Sequence, residues 1–102
     1  MTLSLQVIYP VGDSTRFDMD YYLATHMPLA DKHMGPHLES VQVTRGVAGG
    51  SDAPAPFHAI ATMTFAGQAA LDAAMAAAEP VVADIPNFTD AAPLMLIGEL
   101  VL

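Results

Sequence analysis

Cysteine and tryptophan are both absent from the 102 residues of the chain. Without cysteine, neither a disulfide nor a thiolate zinc site can staple the fold. Basic residues are nearly as scarce: Arg16, Lys32 and Arg45 stand against eleven acids, for a formal charge of −8. No basic cluster exists to neutralise successive phosphates, so nucleic acid is excluded as a partner. No apolar run reaches the ~18–20 residues that span a bilayer, and "MTLSLQVIYP" lacks the basic start and cleavage site of a signal peptide. A cytoplasmic protein without membrane contact is expected. The glycines fit no phosphate loop or dinucleotide fingerprint and no serine lies in a nucleophile elbow, so no cofactor is expected.

What is present is apolar and small. Hydrophobic residues make up 53% of the chain, mostly alanine, valine, leucine and methionine. A chain of this length buries on the order of 60–65% of its unfolded surface, so residues 1–102 read as one domain with a small core, helped by a partner surface. The seven methionines suit an irregular core or an adaptable apolar pocket.

Period-two alternation marks the strands. "LSLQVIY" (3–9) is the first, ended by Pro10 and Gly12. Asp18 is a good helix N-cap, and Phe17 with Tyr22 matches a hydrophobic staple. The helix is expected from about Met19 to Met27, with a kink or restart at Pro28 and an outright end at Gly35-Pro36. "LESVQVTRGV" (38–47) and "FHAIATMTF" (57–65) alternate again and predict an antiparallel hairpin across "AGGSDAPAP". "GQAALDAAMAAAEP" predicts a second helix with a narrow stripe of Ala70, Leu71, Ala74, Met75 and Ala78. "VVADIPNFTDAAP" reads as a short extra turn and a loop, and "LMLIGELVL" as a last strand reaching the C-terminus. The order β-α-β-β-α-β predicts an α+β, ferredoxin-like fold: a four-stranded antiparallel sheet with two helices on one face. Its other face carries apolar or weakly polar residues, which points to a homodimer packed through the open sheet face.

Tyr22 and His26 are spaced i, i+4 and share a helical face. Histidine both takes and gives a proton near neutral pH; it is equally favoured at a helix C-terminus by the macrodipole alone, so spacing leaves His26 open between a working group and a helix-end residue. His26 and His33 stand roughly 10 Å apart along a helix, too far for one ion. Gly35 and Pro36 break the helix that would align His33 with His37. No metal site is expected. His58 faces either a dimer cavity or the rim beside a loop. Tyr9 and the segment Asp84-Ile85-Pro86-Asn87-Phe88 can line the same mouth, while Asp84 and Asn87 read equally as loop caps.

Taken in order, "VIYP", "FDMDYYLATHMPL", "HAIATMTF" and "ADIPNFTD" resemble the EthD domain family, named for a protein of ethyl tert-butyl ether degradation. The resemblance implies a dimeric α+β barrel with a ligand-sized cavity between sheet and helices in each subunit. It puts the family's helix-one histidine on His26, the aromatic position before it on Tyr22, and the Asp-x-x-Asn-Phe motif on Asp84, Asn87 and Phe88. Related members include isomerases of muconolactone-type lactones and fungal enzymes that decarboxylate or dehydrate polyketide intermediates. The isomerases can use a cysteine near the start of helix two, where this chain has Gly67-Gln68, so their particular reaction does not carry over. The implied function is small-molecule catabolism: a compact apolar or aromatic ligand, with His26 and Tyr22 assisting a cofactor-free, isomerase- or lyase-type proton transfer. The alternative is a non-catalytic accessory or ligand-binding dimer.

Overall fold

A computed structural model of the chain describes residues 1–102. Four strands, β1 (Leu3–Pro10), β2 (Ser40–Arg45), β3 (Phe57–Phe65) and β4 (Leu94–Glu99), pair antiparallel in the spatial order β2–β3–β1–β4. The alternation read from the sequence maps onto the two faces of this sheet. Leu3, Leu5, Val7 and Tyr9 of β1 are buried together with Ala59, Ala61, Met63 and Phe65 of β3, and the helices lie on that face. The fold is the expected ferredoxin-like α+β arrangement. No helix is long and apolar enough to cross a membrane.

The first helical layer runs to Gly35-Pro36, as expected, with an irregular turn ahead of Pro28. α1 (Met19–Tyr21) starts where the Asp18 carboxylate accepts the Tyr21 amide at 3.0 Å, and the Phe17 and Tyr22 rings pack with centroids 5.0 Å apart. A π-helical turn follows over Tyr22–His26 and leads into α2 (Met27–Met34). The disturbance expected at Pro28 is this π turn, after which the helix continues directly. Pro28 lacks an amide hydrogen and crowds the carbonyl four residues back. The π turn absorbs this, since the Met27 amide reaches back five residues to the Tyr22 carbonyl. The helix then carries Ala30 and Met34 into the core before Gly35-Pro36-His37 closes it as a 3₁₀ turn.

The second layer is two helices rather than one. α3 (Gln68–Ala76) stops short of Pro80, which lies in the first turn of α4 (Glu79–Asp84), where a missing amide hydrogen costs nothing. The expected short extra turn is this helix and the 3₁₀ turn Ile85–Asn87. β4 ends at Glu99 rather than at the C-terminus, with one further bond from the Leu100 amide to the Thr2 carbonyl.

Two loops are tied together across the sheet end. Phe17 and Thr89 form a β-bridge, the Asp18 amide donates to the Phe88 carbonyl at 2.8 Å, and the Thr89 hydroxyl donates to the Arg16 carbonyl at 2.6 Å. The Arg16 amide is held by the Asp90 carboxylate at 2.8 Å. This clasp presses Phe88, which is fully buried, against the π turn.

Candidate functional site

All three tyrosines of the chain gather around this clasp. Tyr9 packs edge-on against Phe17, Tyr22 and Phe88, while Tyr21 stacks on Phe88. Within the cluster lies His26, 3% exposed. Its ring stacks on Tyr22 at 5.3 Å and leans on Phe88 at 4.4 Å. The residue that engages it is distant in sequence: Nδ1 of His26 lies 3.0 Å from Oδ2 of Asp84, at the end of α4.

Asp84 is itself held. Its other oxygen accepts from the Tyr21 hydroxyl at 2.7 Å and from the Asn87 side-chain amide at 2.9 Å. Burial pushes the carboxyl pKa up, but the hydrogen bonds from Asn87, Tyr21 and His26 outweigh it, and the group stays below its ordinary range. For His26, burial dominates and lowers the pKa from 6.5 against the opposing pull of Asp84. At neutral pH the pair is thus a neutral imidazole beside a carboxylate. A carboxylate only accepts, so Nδ1 carries the ring proton. The other nitrogen, Nε2, keeps its lone pair: the bond from Nδ1 to Asp84 is the one hydrogen bond of the ring.

His26 forms part of the wall of a cavity between the sheet and both helical layers. The recess measures about 480 Å³ with its mouth, and the part in which a water molecule can move is about 40 Å³. At roughly 10–15 Å³ per water by that measure, about three waters fit. Every lining side chain is apolar except His26 and the two tyrosines, Tyr9 and Tyr22. Five of the seven methionines line it: Met27, Met34, Met63, Met75 and Met95. Met75 and Met95 are 37% and 49% exposed at its edge. Unbranched thioethers change rotamer readily, so this wall can yield to a ligand larger than the resting space.

The tyrosine hydroxyls are protonated donors. Burial pushes Tyr22 up to about 12, and burial with the neighbouring Tyr22 raises Tyr9 further. The Tyr22 hydroxyl is fully enclosed and has no hydrogen-bond partner.

Of the residues singled out in the sequence, His26, Tyr22 and Tyr9 meet at the cavity. Asp84, Asn87 and Phe88 lie behind His26 and support it from outside the cavity lining. His58 is elsewhere. At the irregularity where Pro10 pairs with Phe57, its ring stacks on Phe17 and its Nε2 lies 3.0 Å from the Thr15 hydroxyl, tying it to the β1–α1 loop. No three histidine or carboxylate side chains converge on one point. Tyr21 was not anticipated. Its only sequence signal is a second tyrosine beside Tyr22, which a helix turns by about 100° toward a different neighbour.

A family model, the EthD domain, matches residues 13–92. An EthD-like protein from Ralstonia eutropha JMP134 superposes with a TM-score of 0.88 and 33% identity, over 99% of this chain and 93% of that one. An ethyl tert-butyl ether (EthD) family protein from Bacillus halodurans C-125 gives 0.77 and 25%, over 98% and 99%. A dimeric ferredoxin-like protein of unknown function from Thermobifida fusca YX shares the fold at 0.64 and 13% identity, over 98% and 92%. No curated protein matches. The family match spans the π turn, the Asp84 segment and the loops that clasp them, and the chain belongs to the EthD family.

Proposed function

We propose that the chain is a small-molecule catabolism protein of the EthD family whose cavity binds a compact apolar or aromatic molecule, and that His26 moves a proton on it without a cofactor. One observation carries this reading: a buried, neutral histidine, oriented by a carboxylate through Nδ1 and with no hydrogen bond on its other nitrogen, is part of the wall of a cavity that is apolar apart from two tyrosines. A general base needs this arrangement, with the tautomer fixed from behind and the lone pair in front. On an acidic carbon, the C–H proton passes to Nε2 and the bonding pair moves into the substrate; returning the proton elsewhere on the same skeleton is an isomerisation, and loss of a leaving group is a lyase step.

The experiment uses 2-tetralone, a compact aromatic ketone with an acidic C–H. Incubated in D₂O with the protein, its C1 hydrogens exchange above the buffer rate, and His26→Gln removes the roughly 10²–10⁴-fold contribution of a positioned base. Exchange unchanged by His26→Gln overturns the reading. Binding of 2-tetralone, seen as shifts of methionine methyl signals, without any exchange favours the non-catalytic ligand-binding alternative.

The assembly belongs to the same proposal. The sheet face opposite the helices is free of charged residues, and the chain pairs through it with a second copy. Support comes from its composition and from the dimeric relative of the same fold.

A further inference from the structure

Tyr22 presents a group that the fold does not use. It is fully buried, and its hydroxyl alone among the enclosed side-chain polar atoms has no partner. Buried hydroxyls are rarely left so, because the lost hydrogen bond to water costs free energy that nothing recovers. A phenylalanine here would stack on His26 and Phe88 equally well. The hydroxyl therefore weakens the empty protein, and the groups around it show what it is kept for. Tyr22 lines a cavity whose other side chains include no carboxylate or amide, only apolar groups, His26 and Tyr9, and its hydroxyl, closed off in the empty protein, is reached when the methionine wall yields to a ligand. The two rings stack on each other at 5.3 Å, and at neutral pH Nε2 of His26 accepts, so a molecule lying against the pair meets a donor beside a base.

We infer that the Tyr22 hydroxyl is the recognition point of the cavity and that the ligand is an uncharged, largely apolar compound carrying a carbonyl oxygen that accepts from it. This rests on the proton-transfer reading above and names its substrate class. Charged molecules are disfavoured by the same wall: no side chain there balances a carboxylate, an ammonium meets no carboxylate surface because Asp84 lies behind His26, and anions further meet the net charge of −8. In this pose the C–H beside the carbonyl faces Nε2. When its proton passes to His26, the C–H pair becomes the new C=C bond and the carbonyl pair moves onto oxygen, where the Tyr22 hydroxyl stabilises the developing enolate.

The test compares Tyr22→Phe with the wild type using two probes of nearly equal shape, 2-tetralone and tetralin, which lacks the oxygen. Binding is read from methionine methyl signals, five of which come from the cavity wall. Tyr22→Phe is expected to weaken 2-tetralone binding roughly tenfold or more, to leave tetralin binding within twofold, and to leave the stability of the empty protein equal or higher. Equal weakening of both probes, or no weakening of either, overturns the role of the hydroxyl. So does a less stable empty variant, since the hydroxyl then serves the fold. These outcomes separate from failure of the proton-transfer reading, which shows as unaltered exchange in His26→Gln whatever Tyr22→Phe does. Shifts with neither probe overturn both.

Discussion

His26 and Asp84 form a pair whose two groups are perturbed for different reasons, and pH can tell the reasons apart. Burial lowers the histidine; hydrogen bonds lower the aspartate. Between the depressed folded pKa of His26 and its unfolded value near 6.5, the unfolded chain binds more protons than the folded one. Stability therefore rises with pH through that window and is lost on acidification below about pH 6.5. Asp84 adds a loss of the same sign below 3.8. Urea midpoints measured from pH 7.5 to 5 should fall steadily, with the fall reduced in His26→Gln. A midpoint that rises between pH 7 and 6 would mean that the ion pair outweighs burial and that His26 is charged at rest, which would sink its assignment as a base.

Asp84→Asn probes the same pair differently. The amide keeps the shape but loses the charge that favours an imidazolium, so proton uptake at Nε2 is weakened. Exchange from 2-tetralone should fall about tenfold or more while tetralin binding holds. A variant exchanging at the wild-type rate would reduce Asp84 to a structural partner of Tyr21 and Asn87.

At the scale of elements, the site depends on a helix that fails to be regular and on two loops that hold it. The strands were legible because alternation reports burial directly: "LSLQVIY" and "FHAIATMTF" become the two central strands nearly residue for residue. The helix was legible at its start, through Asp18 and Phe17, but not at Pro28. A proline predicts a disturbed backbone and does not say whether the chain breaks or widens by one residue. The core contacts of Ala30 and Met34 decide that here. His26 with Tyr22 could be read from spacing. Its partner Asp84 could not, since a contact spanning 58 residues leaves no periodic trace. The methionine count left an irregular core and an adaptable pocket equally open, and it did not say which five would line one.

The clasp offers the sharpest test at this scale. Thr89 is 2% exposed; its hydroxyl donates to the Arg16 carbonyl and accepts the Ala91 amide at 3.1 Å. Thr89→Val keeps the shape and strands both backbone groups, at a cost of about 1–3 kcal/mol. Because Phe88 and the Asp84 segment hang from this bridge, the loss of stability should come with slower exchange from 2-tetralone, and Thr89→Ser should restore both. Unchanged urea midpoints would show that the loops hold the site without the bridge.

For the whole molecule, the question is why a chain with fourteen charged residues leaves one sheet face without any. The pairing registers place three rows across it: Thr44, Ile60, Ile8 and Leu94; Gln42, Thr62, Gln6 and Leu96; Ser40, Thr64, Ser4 and Gly98. Among the fourteen large apolar residues left exposed, seven belong to β4 and the three residues after it. Single exposed apolar residues are ordinary, but a whole face of neutral polar residues interleaved with Ile8, Ile60, Leu94 and Leu96 and without a charge suits burial against a partner. Two such sheets pack about 10 Å apart with interdigitated side chains. Thr62 lies mid-row on a central strand, where Thr62→Arg projects into solvent in a single chain but into the interface of a pair. Its neighbours Ala61 and Met63 line the cavity on the opposite face, so the substitution spares the site. Sedimentation velocity should give the wild type twice the 10.7 kDa chain mass. Thr62→Arg, carrying an unpaired charge into the contact, should raise the dimer dissociation constant at least roughly a hundredfold with the fold intact by circular dichroism. A wild type that sediments as a single chain, or a Thr62→Arg variant that pairs as tightly, would assign this face to something other than a second copy.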